Sequence, residues 1–231
     1  MVRLPPAERR DAIIDAALAV MLRKGMAATT VRDVADQMGT SSGLVHHYFA
    51  SMDDLLAAAF ARGASRDLVI TRAAMSGCDD AVQRLGTFFV TYVRAEQDWA
   101  FQLWLDAWAE AARRPAVQET SQRLNVEWQR LLRNTVQEGT AAGLMSTDDP
   151  DGAAWRILSL LDGLALQTVA HPGAVDSAAV VRWSVRLAEH ELGLRPGTLR
   201  PPGVRAPRRG RSGSRPAESP RRSAPVGPAR G

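Results

Sequence analysis

From residue 7 to residue 192 the apolar residues recur at helical spacing, and no segment sustains the period-two alternation of a half-buried strand. The pattern predicts an all-α chain of about nine helices. Ile13, Ile14, Ala17, Leu18, Met21 and Leu22 form the first stripe, which Gly25 ends after Arg23 and Lys24 have met the helix's negative end. Thr30 is placed to cap a two-turn helix carrying Val31, Val34, Ala35 and Met38 on one face. Gly39 suits a left-handed turn, and Ser41 or Ser42 can cap another short helix that runs to about Phe49. Ser51 then caps a long helix to about Met75, with Asp53 and Asp54 in its first turn. At 1.5 Å per residue that helix spans on the order of 35 Å, enough to join two bodies. Further helices are predicted over about 79–96, 98–113, 115–142, 150–170 and 176–192.

Two short helices joined by a tight glycine turn, here residues 30–49, make a helix-turn-helix. In its second helix Val45 and Phe49 share one face and are expected to pack on Val31, Val34 and Ala35. The other face is left with Ser42, Leu44, His46, His47 and Tyr48, while Gly43 admits a close backbone. Hydroxyl, imidazole and phenol groups on one short helix can reach phosphates and base edges in a major groove. Solvent-facing histidines without a role are the plainer alternative.

The segment "AIIDAALAVMLRKGMAATTVRDVADQMGTSSGLVHHYFASMDDLL" resembles the three-helix DNA-binding domain of the tetracycline-repressor (TetR) family, without a gap from about Arg9 to Asp67. The resemblance implies that Thr30, Ser41, Ser42, Gly43, Leu44, His46, His47 and Tyr48 touch double-stranded operator DNA. His46 stands where the family usually has Tyr, and Met52 where it usually has a phosphate-contacting Lys. The expected division is a DNA-binding domain over 7–67, a ligand-binding and dimerisation domain over 68–193, and a disordered tail over 194–231.

That tail holds ten arginines and a single acid, Glu218, which leaves residues 1–193 with 19 basic and 24 acidic side chains. The basic character of the chain therefore belongs to a Pro/Gly/Ser-rich segment that lacks the apolar residues to offset its ordering entropy. It is a solvated extension or a source of sequence-independent attraction to nucleic acid. A 45% hydrophobic composition supplies a sizeable core elsewhere. No run of 18 apolar residues appears, so no membrane partner is expected and a cytoplasmic chain is. One cysteine, Cys78, and four scattered histidines give no disulfide and no metal-ligand spacing. No cofactor and no catalytic constellation are expected.

All six tryptophans fall within residues 99–183. In "WAFQLWLDAWAEAARRP", Trp104 and Trp108 are one turn apart, near Phe101, with Asp106 in the same helix. With Trp128 these residues either fill a helical core or line a site in which aromatic rings and a carboxylate hold an organic cation. "WLDAWAEAARRP", "GTAAGLM" and "LLDGLALQ" resemble the sensor domain of a TetR subgroup typified by a choline-responsive repressor of glycine-betaine synthesis. The last two helices carry more apolar surface than one thin layer needs, with Trp155, Leu158, Leu161, Val181 and Val185 as candidates for a homodimer interface. The resulting expectation is a ligand-released, homodimeric repressor rather than an enzyme. Non-specific nucleic-acid binding through the tail, or a helical small-molecule or enzymatic module, are the alternatives.

Overall fold

The computed structural model describes residues 5–93 and 98–199 and contains nine helices and no strand among them. In chain order these are α1 Pro6–Lys24, α2 Val31–Met38, α3 Ser42–Tyr48, α4 Met52–Ser76, α5 Ala81–Tyr92, α6 Asp98–Ala111, α7 Pro115–Ala141, α8 Pro150–Ala170 and α9 Ser177–Glu191. Among the described residues no helix is long and apolar enough to cross a membrane.

Local chemistry sets the helix boundaries. Gly25 leaves α1 with φ 83°, and Gly39 closes α2 in the left-handed region at φ 64°. The Thr30 hydroxyl accepts the Asp33 N–H at 3.2 Å while the Asp33 carboxylate accepts the Thr30 N–H at 3.0 Å, a reciprocal cap that makes an eight-residue helix viable. Ser51 caps α4 through the Asp54 N–H at 3.1 Å. Aspartates do the same work further along the chain: Asp80 on Gln83 at 2.8 Å, Asp149 on Gly152 at 2.8 Å and Asp176 on Ala179 at 2.5 Å.

α1, α2 and α3 form a small three-helix head, and α4 leaves it to run through the body built by α5 to α9. Arg62 of α4 clamps α1 by reaching Asp11 at 2.5 Å and Asp15 at 2.8 Å. One apolar core threads the whole molecule: Ile13 and Met21, then Val34, Val45 and Phe49, then Leu55, Leu56 and Phe60, then Phe88, Trp128, Leu132, Ile157 and Leu192. α4 belongs to both ends of that core.

The C-terminal stretch differs from expectation at its start. Residues 194–199, taken as the first part of a disordered tail, lie against α9, where the Leu199 N–H donates to Glu189 Oε1 at 2.9 Å and Leu199 is buried. A leucine in a Pro/Arg-rich sequence found a buried place. The arginine-rich residues 200–231 lie outside the described residues.

Candidate nucleic-acid interface and ligand site

The head presents α3 outward. Val45 and Phe49 are buried against α2 as the spacing requires, and the Arg10 guanidinium lies 4.8 Å over the Phe49 ring. Ser41, Gly43, His46 and His47 are exposed, while Ser42, Leu44 and Tyr48 are half-buried along the flanks. At about 100° per residue His47 is the position most nearly opposite Val45 and Phe49, so it forms the apex of the face. The His47 and Tyr48 rings meet edge-on at 5.2 Å, each restricting the other.

Thr30 is exposed, but its hydroxyl is already engaged by Asp33 at both of its hydrogen-bonding functions. The Asp33 carboxyl is held down to about 2 by the Lys24 ammonium at 2.7 Å and then by the Thr30 hydroxyl, so this cap stays ionised at any ordinary pH. Met52 opens α4 half-buried against the core and offers no donor to a phosphate.

The aromatic cluster of the body is built from α5, α6, α7 and α8. Tyr92, Phe101, Trp104 and Trp128 are buried and Trp108 is half-buried. Trp104 and Trp108 stand 5.8 Å apart, Tyr92 lies 5.9 Å from Phe101 and 5.1 Å from Trp128, and Phe60 backs Trp104 at 5.0 Å. Asp162 of α8 enters this cluster and accepts the Tyr92 phenol O–H, and the buried Asp67 of α4 is near enough to act on Tyr92 electrostatically. Burial raises the Asp162 carboxyl to about 7, against the opposing effect of the Tyr92 hydrogen bond. The same enclosure, with the Asp162 charge beside it, pushes the Tyr92 phenol well above its ordinary range. Tyr92, Phe101, Trp104, Trp108, Asp162 and Leu166 enclose a space of about 10 Å³, at the lower limit for one water.

Three expectations require correction here. Asp106 does not enter the cage: it lies on the other side of α6, where Oδ2 accepts the Met26 N–H at 2.9 Å and Oδ1 accepts from Gln102 at 2.8 Å. Asp162, together with Tyr92 and Leu166, takes the place sequence reasoning gave to Asp106, and the signal for it was an acid set in the apolar run "ILSLLDGLAL". Trp128 meets Tyr92 edge-on and does not line the space. Among the expected dimer residues, Leu158, Leu161 and Val185 are buried in this chain's own core, because α8 and α9 must cover α5, α6 and α7 first. Trp155 and Val181 are half-buried, and the large apolar side chain most open on these helices is Trp183, 46% exposed. No group of three metal-ligating side chains occurs among the described residues.

Residues 13–59 match the family model of bacterial regulatory proteins of the TetR family, and residues 81–193 match the BetI-type transcriptional repressor C-terminal model. The HTH-type transcriptional regulator BetI of Rhizobium meliloti is 33% identical over 69% of this chain and 77% of its own length. BetI of Escherichia coli K12 is 31% identical over 69% of this chain and 81% of its own. Among solved structures, a transcriptional regulator from Pseudomonas aeruginosa PAO1 superposes with TM-score 0.71 at 26% identity, covering 81% of this chain and 92% of that one. A regulator from Saccharomonospora viridis in complex with choline shares the fold with TM-score 0.73 at 23% identity, over 80% of this chain and 98% of that one. These relatives are transcriptional regulators, which removes the enzymatic alternative. The chain belongs to the TetR family of ligand-responsive, DNA-binding transcriptional regulators and carries the C-terminal domain of its BetI-type repressors.

Proposed function

We propose that this repressor is released from its operator by a small organic cation of the choline type, bound among Tyr92, Phe101, Trp104 and Trp108 with Asp162 as counter-charge. The observation that carries this reading is the placement of the Asp162 carboxylate among the aromatic rings. Aromatic faces attract a quaternary ammonium, and a carboxylate adds the charge such a guest needs when it leaves water. A quaternary ammonium is several times larger than the enclosed space, so its entry must separate the rings and break or lengthen the Tyr92–Asp162 bond. Trp108, the half-buried member, is the ring with room to move. The bound form of the site is therefore a different packing of α6 from the empty one, and the guest shifts the balance only as far as it prefers that packing.

The head reads DNA through α3, with His47 at the apex and Ser41, Ser42, Gly43, Leu44, His46 and Tyr48 around it; Thr30 contributes by fixing α2 rather than through a free hydroxyl. A 7–67 reading unit and a 68–193 sensing unit meet along α4. We infer a two-fold dimer through the outer faces of α8 and α9, which would set two α3 helices against successive major grooves of a palindromic operator. Gly163 supports that inference. It sits exposed in mid-helix, a Cβ added there would meet nothing, and glycine costs about 1 kcal/mol in such a position. Close approach of a second helix gives that glycine a reason.

The test is a mobility-shift titration on the DNA upstream of its own gene, against an unrelated duplex at fixed salt, repeated with choline. Competitor-resistant binding that choline weakens is expected. Binding that choline leaves unchanged, with no change in tryptophan fluorescence on its addition, would refute the cation reading.

A further inference from the structure

α9 packs on α8 and on α5. Between α9 and the end of α5 a groove of about 580 Å³ stays open, a volume within the range of small-molecule sites. Its walls are aliphatic: Val90 and Val93 stand on the α5 side, and Val181 and Val185 on the α9 side. Gly197 of the C-terminal stretch adds a further wall, held there by the Leu199 N–H bond to Glu189 at 2.9 Å. No aromatic ring lines the groove among the described residues, and it shares no lining residue with the aromatic cage.

One flank of the groove is charged. Arg182 and Arg186 each follow a groove valine by one position, so an exposed guanidinium row runs beside the valine row about 100° round the helix. Neither arginine has an ion-pair or hydrogen-bond partner among the described residues. The acid that lines the groove, Glu189, is 3% exposed and has one oxygen engaged by Leu199. Trp183 lies two residues from both Val181 and Val185, about 160° round α9, so the groove and the dimer surface inferred above occupy different faces.

We propose that this groove is a second ligand site, one that takes a straight-chain aliphatic carboxylate with its chain along the valines and its carboxylate on Arg182 and Arg186. Aliphatic walls without a ring suit a flexible alkyl chain, which gains from each methylene withdrawn from water. A guanidinium fork matches the two oxygens of a carboxylate. From Ala178 to Glu189, the ends of the groove on α9, the helix rises about 16 Å at 1.5 Å per residue. With carbon–carbon bonds of about 1.5 Å in zigzag, an extended chain of about twelve carbons spans that length. A second copy of this chain is a poorer occupant, because a two-fold contact sets a patch against itself and would bring the two arginine rows together. The two sites of the body thus sort their guests by charge: aromatic rings and Asp162 for a cation, valines and arginines for an anion.

Decanoate, titrated calorimetrically into the full chain below its micellar range, tests the site, with 1-decanol and butyrate as guests that lack the charge and the chain. One decanoate per chain is expected to bind, with decanol weaker by about tenfold and butyrate without measurable heat. Arg182→Gln combined with Arg186→Gln is expected to weaken decanoate by about tenfold and to leave decanol unchanged. Val181→Glu sets a like charge among the valines and is expected to abolish decanoate binding with helical content intact. Should that variant fail to fold, the exposed arginine pair carries the test alone. Absence of saturable binding, or a decanoate affinity indifferent to both arginines, overturns the proposal. Binding that choline displaces or that Trp108→Ala removes assigns decanoate to the cage and equally overturns it. So does a native chain that ignores decanoate while Val181→Glu changes its sedimentation, for the groove would then be a contact between copies. Arginine-dependent decanoate binding in a chain that ignores choline upholds this site and overturns only the cation reading.

Discussion

At the scale of single residues the sharpest consequences belong to Asp162. Its carboxyl titrates near 7 in the fold against an ordinary 3.8, so the empty site holds a neutral acid below neutrality and a carboxylate above it. A cationic guest prefers the carboxylate, and its affinity is expected to fall by up to about tenfold for each pH unit below 7 and to level off above it. Isothermal titration of choline from pH 5 to 8 measures this, and Asp162→Asn should flatten the profile at weak affinity. The stability of the empty protein runs the other way. Because the folded form holds this proton more tightly than the unfolded chain does, the group's contribution is complete below about 3.8 and is lost as pH rises through about 7. Denaturation midpoints of the empty protein and of Asp162→Asn should accordingly diverge with rising pH, the variant holding its stability. On α3 the apex position argues that His47→Ala removes more specific DNA affinity than His46→Ala. The expected loss is about 1 to 3 kcal/mol with the head's fold intact by circular dichroism; equal effects of the two would deny His47 its apex role.

At the scale of elements, the caps predict the cost of breaking them. Thr30→Ala removes the hydroxyl half of a reciprocal cap that supports only eight residues, leaving the backbone N–H of residue 30 on the Asp33 carboxylate, and should lower stability by about 1 kcal/mol in a urea titration. These features were legible in the sequence because their cause is local: Thr30 with Asp33, Ser51 with Asp54, Gly25 and Gly39 each declare a boundary within three or four residues. Phe101, Trp104 and Trp108 were legible as a stripe for the same reason. Asp106 and Asp162 were not, since each is an acid on a largely apolar helix and what separates them is a partner 80 or 70 residues away. Leu158, Leu161 and Val185 were misread for a related reason: periodicity reveals that a helix has an apolar face but not whether its own chain or another copy covers it. Leu199 escaped notice because composition averaged over a Pro/Arg-rich stretch conceals one leucine with a buried place to go.

At the scale of the whole molecule, the outer faces of α8 and α9 lead to an expectation about assembly. Trp183→Asp places a charge on the most open large apolar side chain of those helices, and on the proposed two-fold interface sedimentation should show a monomer for the variant against a dimer for the unaltered chain, with unchanged helical content. A variant that sediments as the native protein does would move the interface elsewhere. The core that runs unbroken from Ile13 to Leu192 predicts a single unfolding transition, followed alike by tryptophan fluorescence from the body and by circular dichroism from all nine helices. That continuity reaches into the life of the regulator in the cell. A guest held only in the body lowers the population of unfolded chain for the head as well, so a proteolytic system that digests unfolded chains is denied the whole protein while effector is abundant. The molecule that takes the repressor off its operator also preserves it, and when the effector is consumed a standing pool is ready to silence the gene again without new synthesis.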